Sequence, residues 1–491
     1  MHHERLRSPA IAQPYRVNPW LVLSVTSLGV LLVMVNLGAL NVALPAIARH
    51  FHTGAALSNW ILLSYMVVNT VLILVFGQFS DAFGRKMLYL LGMAAFTVMS
   101  FVVGFAQNIW LFILFRALQA AGGALIITNN TALITDAFPE AKLSSGLAAN
   151  VLISSVAQLV GPVVGGVIAS TLGWQWVFWS TVPIGVVGVV WGWFTLRHLP
   201  SQGSGRRIDT LGGAVTFVAL SALIIALSEG SSLGWTAPLV LGGLVLFALL
   251  VPLLIWVEQR THTPMFDFSL FANRAYAMAN VATFLNSFAR VSVVLLVSLY
   301  LQSLLHVDAF FAGISVLPVT VGMIVAAPLT GPLANRFSAR ILSTTGLGIS
   351  AVGLILLMGG LRVHLSASLN DSGMFLVGFG SGLFMTPNTR SIMTGVPPER
   401  RGFANGLRSM LQNMGQVLST AVSMTIITSI LPLRLQNVVY TGTSGTLPAK
   451  DMALIDTGYR LAFLALLAAT LAGMAASSLR GESGSPTHPG G

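Results

Sequence analysis

Long runs of apolar residues with hardly a charge in them recur along the chain, and this recurrence limits the fold more than any motif. They fall at residues 21–44, 60–79, 87–106, 109–134, 147–172 and 176–196, then at 211–227 and 238–257, and then at 276–302, 311–332, 341–360, 374–393, 403–430 and 459–478. Most reach the roughly 20 residues that a helix needs to cross the hydrocarbon core of a bilayer. The run at 211–227 is the shortest, and tilt or local thinning accommodates it. Charged residues make up 8% of the 491 residues, against about 25% in soluble domains, so no water-facing surface could cover this many apolar segments. In hydrocarbon each backbone N–H and C=O must be paired within its own segment, which makes helices the spanning form for runs of this length. An all-α polytopic membrane protein is expected, with fourteen spans in a 6+2+6 order.

The sign and placement of charge set the topology. The formal charge of +11 comes from Lys and Arg scattered between the apolar runs, with no basic block of the kind that binds nucleic acid. With a cytoplasmic N-terminus, seventeen Lys and Arg fall in cytoplasmic segments, and four, Arg49, Arg362, Arg434 and Lys450, fall outside. That bias predicts a multi-pass protein of the plasma (cytoplasmic) membrane with both termini cytoplasmic. The first run is too long for a signal-peptide core, so it reads as an uncleaved helix. The absence of cysteine rules out disulfides, thiolate metal sites and thiol nucleophiles.

The expected organisation is a cytoplasmic tail at 1–18, a six-helix bundle at 19–197, a linker and two-helix insertion at 198–258, a second six-helix bundle at 259–480, and a disordered cytoplasmic tail at 481–491. The stretch Ser201–Arg207 is polar enough to be disordered, and the longest external loop is expected at Leu431–Thr457. The halves echo each other faintly. Gly77 to Lys86 and Gly331 to Arg340 occupy the same loop of each block, and Phe138-Pro139-Glu140 is echoed by Pro397-Pro398-Glu399. Internal repeats of this kind are a mark of transporters, with the site at the repeat interface.

Gly77, Asp81, Gly84, Arg85 and Lys86 stand at the spacing G-x-x-x-D-x-x-G-R-K, and on these residues the chain resembles the major facilitator superfamily. Asn41-Val42-Ala43-Leu44-Pro45, Arg116 with Gln119, Gly122 and Gly123, the set Gly161, Pro162, Gly165 and Gly166, and Trp174, Trp176, Phe178 and Pro183 resemble its 14-helix drug:proton antiporter branch. The resemblance covers about residues 20–480. It implies two six-helix bundles plus two extra central transmembrane helices, alternating access, and export of amphipathic small molecules, with protons as a candidate coupling ion and no enzymatic activity. It also implies that Gly77, Asp81, Gly84, Arg85 and Lys86 form a cytoplasmic gate and that Gly161, Pro162, Gly165 and Gly166 are the antiporter Gly-Pro set. The residues themselves leave plainer readings open: a basic turn that only sets topology, and small residues that only pack helices. No cofactor or metal is expected, and the partners are a small-molecule substrate and the lipid bilayer, around a monomer.

Polar residues inside apolar runs line up on helix faces. Asn280, Thr283, Asn286 and Arg290 form one stripe, Asn150, Ser154 and Gln158 a second, Arg116, Gly123 and Asn130 a third, and Asn405, Arg408, Gln412 and Gln416 a fourth. Each stripe is either interhelical glue or a cavity wall. Arg290 lies 14 residues after Tyr276 and 12 before Gln302, about 20 Å of helix from either end. Arg116 is read as nearer the outer surface, and Arg408 as near enough to the cytoplasm to snorkel. The candidate cavity residues are Asn36, Arg116, Asn130, Asn150, Gln158, Asn286, Arg290 and Gln412.

Departures from the resemblance carry information too. Asn36 stands where related antiporters carry Asp, and no carboxylate or histidine falls near the middle of any run. Ala120, Gln175 and Thr181 replace Gly, Arg and Asn. A buried carboxylate as proton carrier is therefore missing, and a cavity holding Arg290 and Arg116 should favour neutral or anionic amphiphiles over organic cations. A rim carboxylate, Asp81 or Asp136, remains the alternative proton route. Besides an exporter, an uncoupled facilitator, a lipid or anionic-metabolite exporter, and a non-transporting membrane sensor fit the residues.

Overall fold

In the computed structural model, residues 18–53, 55–196, 209–261, 269–303, 307, 309–361, 367–432, 435–436 and 448–480 are described. The expected tails at 1–18 (apart from Asn18) and 481–491, the stretch Ser201–Arg207 and most of the loop expected at Leu431–Thr457 lie outside them. Among the described residues every element is helical. The first half contains α1 (Pro19–His50), α2 (Ala55–Phe83), α3 (Arg85–Val103), α4 (Ile109–Ala137), α5 (Glu140–Thr171), α6 (Trp174–Trp179) and α7 (Val182–Leu196). The insertion follows as α8 (Thr210–Leu233) and α9 (Pro238–Arg260). The second half contains α10 (Ser269–Ala272), α11 (Arg274–Ser303), α12 (Ala309–Ser315), α13 (Leu317–Arg336), α14 (Ala339–Leu361), α15 (Ala367–Thr394), a 3-10 turn at Pro398–Arg400, α16 (Arg401–Ser429) and α17 (Ala449–Ser478).

Twelve of these segments, with α6 and α7 taken together and α12 and α13 taken together, are long and apolar enough to cross a membrane. α15 and α16 match them at 28 and 29 residues but carry more polar side chains, which brings the spans to the expected fourteen. The span expected as one run at 176–196 begins at Trp174 and is interrupted at Ser180–Thr181. Pro183 explains the break: it donates no N–H and its ring would clash with the carbonyl four residues back. Thr181 caps the gap by donating its hydroxyl to the Phe178 carbonyl at 2.7 Å. Pro318 marks the similar interruption between α12 and α13.

Helix starts follow side-chain chemistry. Asn18, Asn108 and Asp209 each accept from a backbone N–H in the first turn of α1, α4 and α8, pairing donors a helix end leaves open. Gly84 separates α2 from α3 with a φ of 98°, a conformation in which a side chain would be strained.

Within the first half α1 packs on α4 and α5, and α4 also packs on α2 and α3; within the second, α15 packs on α13 and α14, and α11 on α16 and α17. The halves meet along two seams, α2 against α16 and α5 against α13. α8 leans on α2 and α16, while α9 packs mainly on α8 and is mostly exposed. Large apolar side chains such as Trp110, Trp193 and Leu249 stand on the outside, the arrangement that hydrocarbon rather than water stabilises.

Glycines let helices approach closely. A Cβ on Gly346 of α14 would lie 2.6 Å from the Gly380 carbonyl of α15. Gly346→Val should therefore force the two helices apart, at about 1–3 kcal/mol, and a lowered midpoint in detergent thermal unfolding is the expected readout.

Candidate functional site

The two halves are tied at the face that carries the α2–α3 turn. Gly77 of α2 lies against the start of α16, where a Cβ would meet the Gly402 carbonyl at 2.9 Å. This close approach lets the Asp81 carboxylate reach the first turn of α16 and accept from the backbone N–H groups of Gly402 at 2.9 Å and Phe403 at 2.8 Å. A carboxylate at a helix N-terminus pairs open donors and meets the positive end of the helix dipole. Arg85 then donates to Asp81 at 2.9 Å, to Asp136 of α4, and to the Pro398 carbonyl of the other half. Arg401 closes the ring by donating to Asp136 at 2.8 Å. Lys86 is half-buried beside it. Arg390 adds a hydrogen bond to Ser144 at 2.8 Å, and a looser ion pair to the exposed Glu140 that contributes little.

A second group of residues lies inside the first half. Arg116 is fully buried and donates to Asn36 at 2.9 Å and to Gln119, which passes the chain on to Ser100 at 2.6 Å. Its guanidinium carbon sits 4.5 Å from the Tyr65 ring centroid and 5.5 Å from that of Phe178, a cation–π environment. No carboxylate pairs with it among the described residues, and Arg116 Nε and Nη2 and Asn36 Nδ2 lack a hydrogen-bond partner. Asn130 donates to Asn150 at 3.0 Å, while Gln158 faces the Met34 sulfur at 3.8 Å. Asn36, Asn130, Asn150, Gln158 and Arg116 are thus split into separate contacts rather than one wall. Gly161, Pro162, Gly165 and Gly166 press α5 onto α1, against Val35, Gly38, Ala39 and Val42.

The third group is a cleft in the second half, lined by Thr283, Asn286, Ser287 and Arg290 of α11, Phe384, Met385, Asn388 and Thr389 of α15, and Arg408 and Gln412 of α16. Three of the sequence candidates, Asn286, Arg290 and Gln412, meet here. The cleft is narrow, with free space of about 10 Å³, room for about one water. Arg408 does not snorkel. It is 9% exposed and turns inward, donating to Asn405 at 3.0 Å and to Gln412 at 3.2 Å, because amide oxygens of its own helix are within reach. Asn405 in turn donates across the halves to the Ile127 and Thr128 carbonyls of α4 at 3.0 and 2.7 Å.

Sequence reasoning named Asp136 as an alternative proton route but not as a gate residue, and did not assign Arg401, Arg390 or Asn388 to a site. A signal for the first two was present: Asp136 stands two residues before Phe138 and Arg401 two after Glu399, so both border the second internal echo.

Two helical bundles that meet along two seams, with polar side chains buried within spanning helices of each, define a polytopic membrane carrier. The chain belongs to the major facilitator superfamily, a family of secondary transporters and not of enzymes: the family model matches residues 26–420 and 279–488. It is 31% identical over 419 residues to the multidrug resistance protein Stp of Mycobacterium tuberculosis, covering 85% of this chain and 77% of that protein. It is 27% identical over 391 residues to the multidrug export protein EmrB of Escherichia coli, covering 79% and 76%. In three dimensions it is similar to the human organic anion transporter MFSD10, with a TM-score of 0.62 at 16% identity over 93% of this chain and 100% of that one, a likeness of fold alone.

The ionic ring predicts how the halves respond to mutation. The chain has no cysteine, so Ala404→Cys, at a fully buried position of α16, can report on separation of the halves through a membrane-impermeant maleimide. Removing one member of a buried ion pair costs about 3–5 kcal/mol. Asp81→Asn or Asp136→Asn should raise the labelling rate of Ala404→Cys at least tenfold.

Proposed function

We propose that the protein exports amphipathic small molecules from the cytoplasm or inner leaflet by alternating access, with residues 19–197 and 259–480 as the two moving bundles. The observation that carries this reading is the ionic ring of Asp81, Arg85, Asp136 and Arg401 between the halves, with Asp81 on the first turn of α16. The charge bias puts this face in the cytoplasm, in a plasma membrane with both termini inside. The conformation described is then the one closed to the cytoplasm. The names of the relatives Stp and EmrB, multidrug resistance and multidrug export, support efflux as the direction. A single chain suffices for alternating access, so a monomer is the working unit.

Asn130, Asn150, Gln158, Asn286, Arg290 and Gln412 serve as cavity residues, exposed to cargo when the bundles rock. The gate is the set Gly77, Asp81, Gly84, Arg85 and Lys86, extended by Asp136 and Arg401. Gly161, Pro162, Gly165 and Gly166 form the close α5–α1 contact that moves as a unit. Asn36 and Arg116 form a non-titrating pair, because an amide cannot bind or release a proton near neutral pH. Proton coupling through this position is absent, which sets the protein apart from a carrier with a carboxylate there.

Expression in a host lacking its own efflux pumps should lower steady-state accumulation of a neutral amphiphilic dye such as Nile red, and Arg85→Ala should return it to the empty-vector level. Equal accumulation in all three strains would reject export. Asn36→Asp places a carboxylate 2.9 Å from an Arg116 donor, and should make dye export depend more steeply on external pH than the parent's does.

A further inference from the structure

The second-half cleft has an unusual charge balance for a site inside a membrane. Arg290 and Arg408 both line it. Arg480 stands behind it, donating to the Asn388 side chain that forms part of its wall. Ion pairs among the described residues engage Arg85, Arg390, Arg401 and Arg460, and none of them engages Arg290, Arg408 or Arg480. The nearest polar groups in the cleft are hydroxyls and amides. A guanidinium stays charged in a protein interior, so these side chains place positive charge in a low-dielectric site with no counter-charge among the described residues, which is costly.

Arg290 and Arg408 differ in how their donors are used. Arg408 spends most of its donors on Asn405, Ser409 and Gln412. The one contact of Arg290 is from Nη1 to the Met323 sulfur at 3.9 Å, a weak acceptor, and its Nε has no partner. A guanidinium edge with unused donors is the group that recognises carboxylate, sulfonate or phosphate oxygens. Phe384 and Met385 in the same cleft offer apolar surface to the rest of such a molecule.

We propose that this cleft takes amphipathic organic anions through Arg290 and Arg408, and that their outward passage is electrogenic, driven by the membrane potential without a proton. This deepens the export reading above and rests on it. The energetic argument runs from charge: moving a monoanion out of a negative interior is favourable by about 2.3 kcal/mol per 100 mV, a roughly 50-fold accumulation ratio at that potential. A carrier whose load brings the only negative charge into the cleft needs no titrating carboxylate to couple transport. Asn36 beside Arg116, and the lack of a carboxylate in the cleft lining, fit that mode.

The test uses the purified full chain in phosphatidylcholine proteoliposomes, dansyl sulfonate as the probe, and valinomycin with a potassium gradient to set the potential. Interior-positive potential of 100 mV should raise protein-dependent uptake several-fold over zero potential, while a pH gradient at zero potential leaves it unchanged. Arg290→Gln and Arg408→Gln should each lower it at least tenfold, with unfolding midpoints near the parent's showing that the variants are folded. A tenfold excess of neutral dansylamide should change uptake by less than twofold. Repeating the assay with phosphatidylglycerol in the bilayer separates the sources of the anion: inhibition identifies a lipid headgroup as an occupant, and unchanged uptake a soluble organic anion. Uptake that follows the pH gradient and ignores the potential overturns the proposal, as does full competition by dansylamide or full activity of both glutamine variants. Absence of protein-dependent sulfonate uptake overturns it too, and leaves the export reading to the neutral-dye assay, which does not depend on an anionic cargo.

Discussion

The seating of Asp81 on the first turn of α16 is the interaction on which the described conformation depends. Helix N-termini expose N–H groups that have no partner within the helix, and in a membrane protein such a terminus near the bilayer must be capped. Here the cap comes from the other half of the molecule, so the pairing of two backbone groups also fastens two bundles. Arg85 and Arg401 then hold Asp136 in the same ring. Gly77 and Gly402 make the approach possible, since a side chain on either would meet the opposing helix within 3 Å. Losing one member of the ring leaves a buried charge without its partner, which is costly.

The two halves use buried arginine differently. In the first, Arg116 is enclosed by amide oxygens and by the faces of Tyr65 and Phe178, and the arrangement reads as a fixed structural hub. In the second, Arg408 is held by neighbouring amides and Arg290 is left with unused donors beside a narrow cleft. Asn405 connects the cleft to the seam, because it accepts from Arg408 and donates to carbonyls of α4. Separation of the bundles on that face would release Asn405 from α4 and change the support of Arg408. If the cleft takes cargo as proposed, this link would let its occupancy and closure of the gate bias the same equilibrium.

Much of the architecture was legible from the chain alone. Apolar runs of spanning length gave fourteen segments, because in hydrocarbon a backbone can satisfy itself only as a helix, and the 6+2+6 order followed from their spacing. Trp174–Leu196 escaped that reading in part: hydropathy reports solvent preference and does not register the interruption that Pro183 imposes. Asp81 as a gate residue was also legible, since it stands at the motif spacing to Gly77, Gly84 and Arg85. The N–H groups of α16 that donate to it were not identifiable from the sequence.

What sequence determined by itself was the solvent, the secondary structure, and which side chains would be expensive to bury: these depend on local composition and on distance along one helix. Tertiary structure alone decided the company each of those side chains keeps. Arg408 was read as snorkelling and instead turns inward, Asn130 and Asn150 pair with each other, and Arg290 joins residues 94 to 122 positions away, from Phe384 to Gln412. The physical reason is that hydrogen bonds and ion pairs act over a few ångströms. Partners far apart in the chain become neighbours only when helix packing brings their faces together, and a helix-period stripe reports the face without naming what it meets.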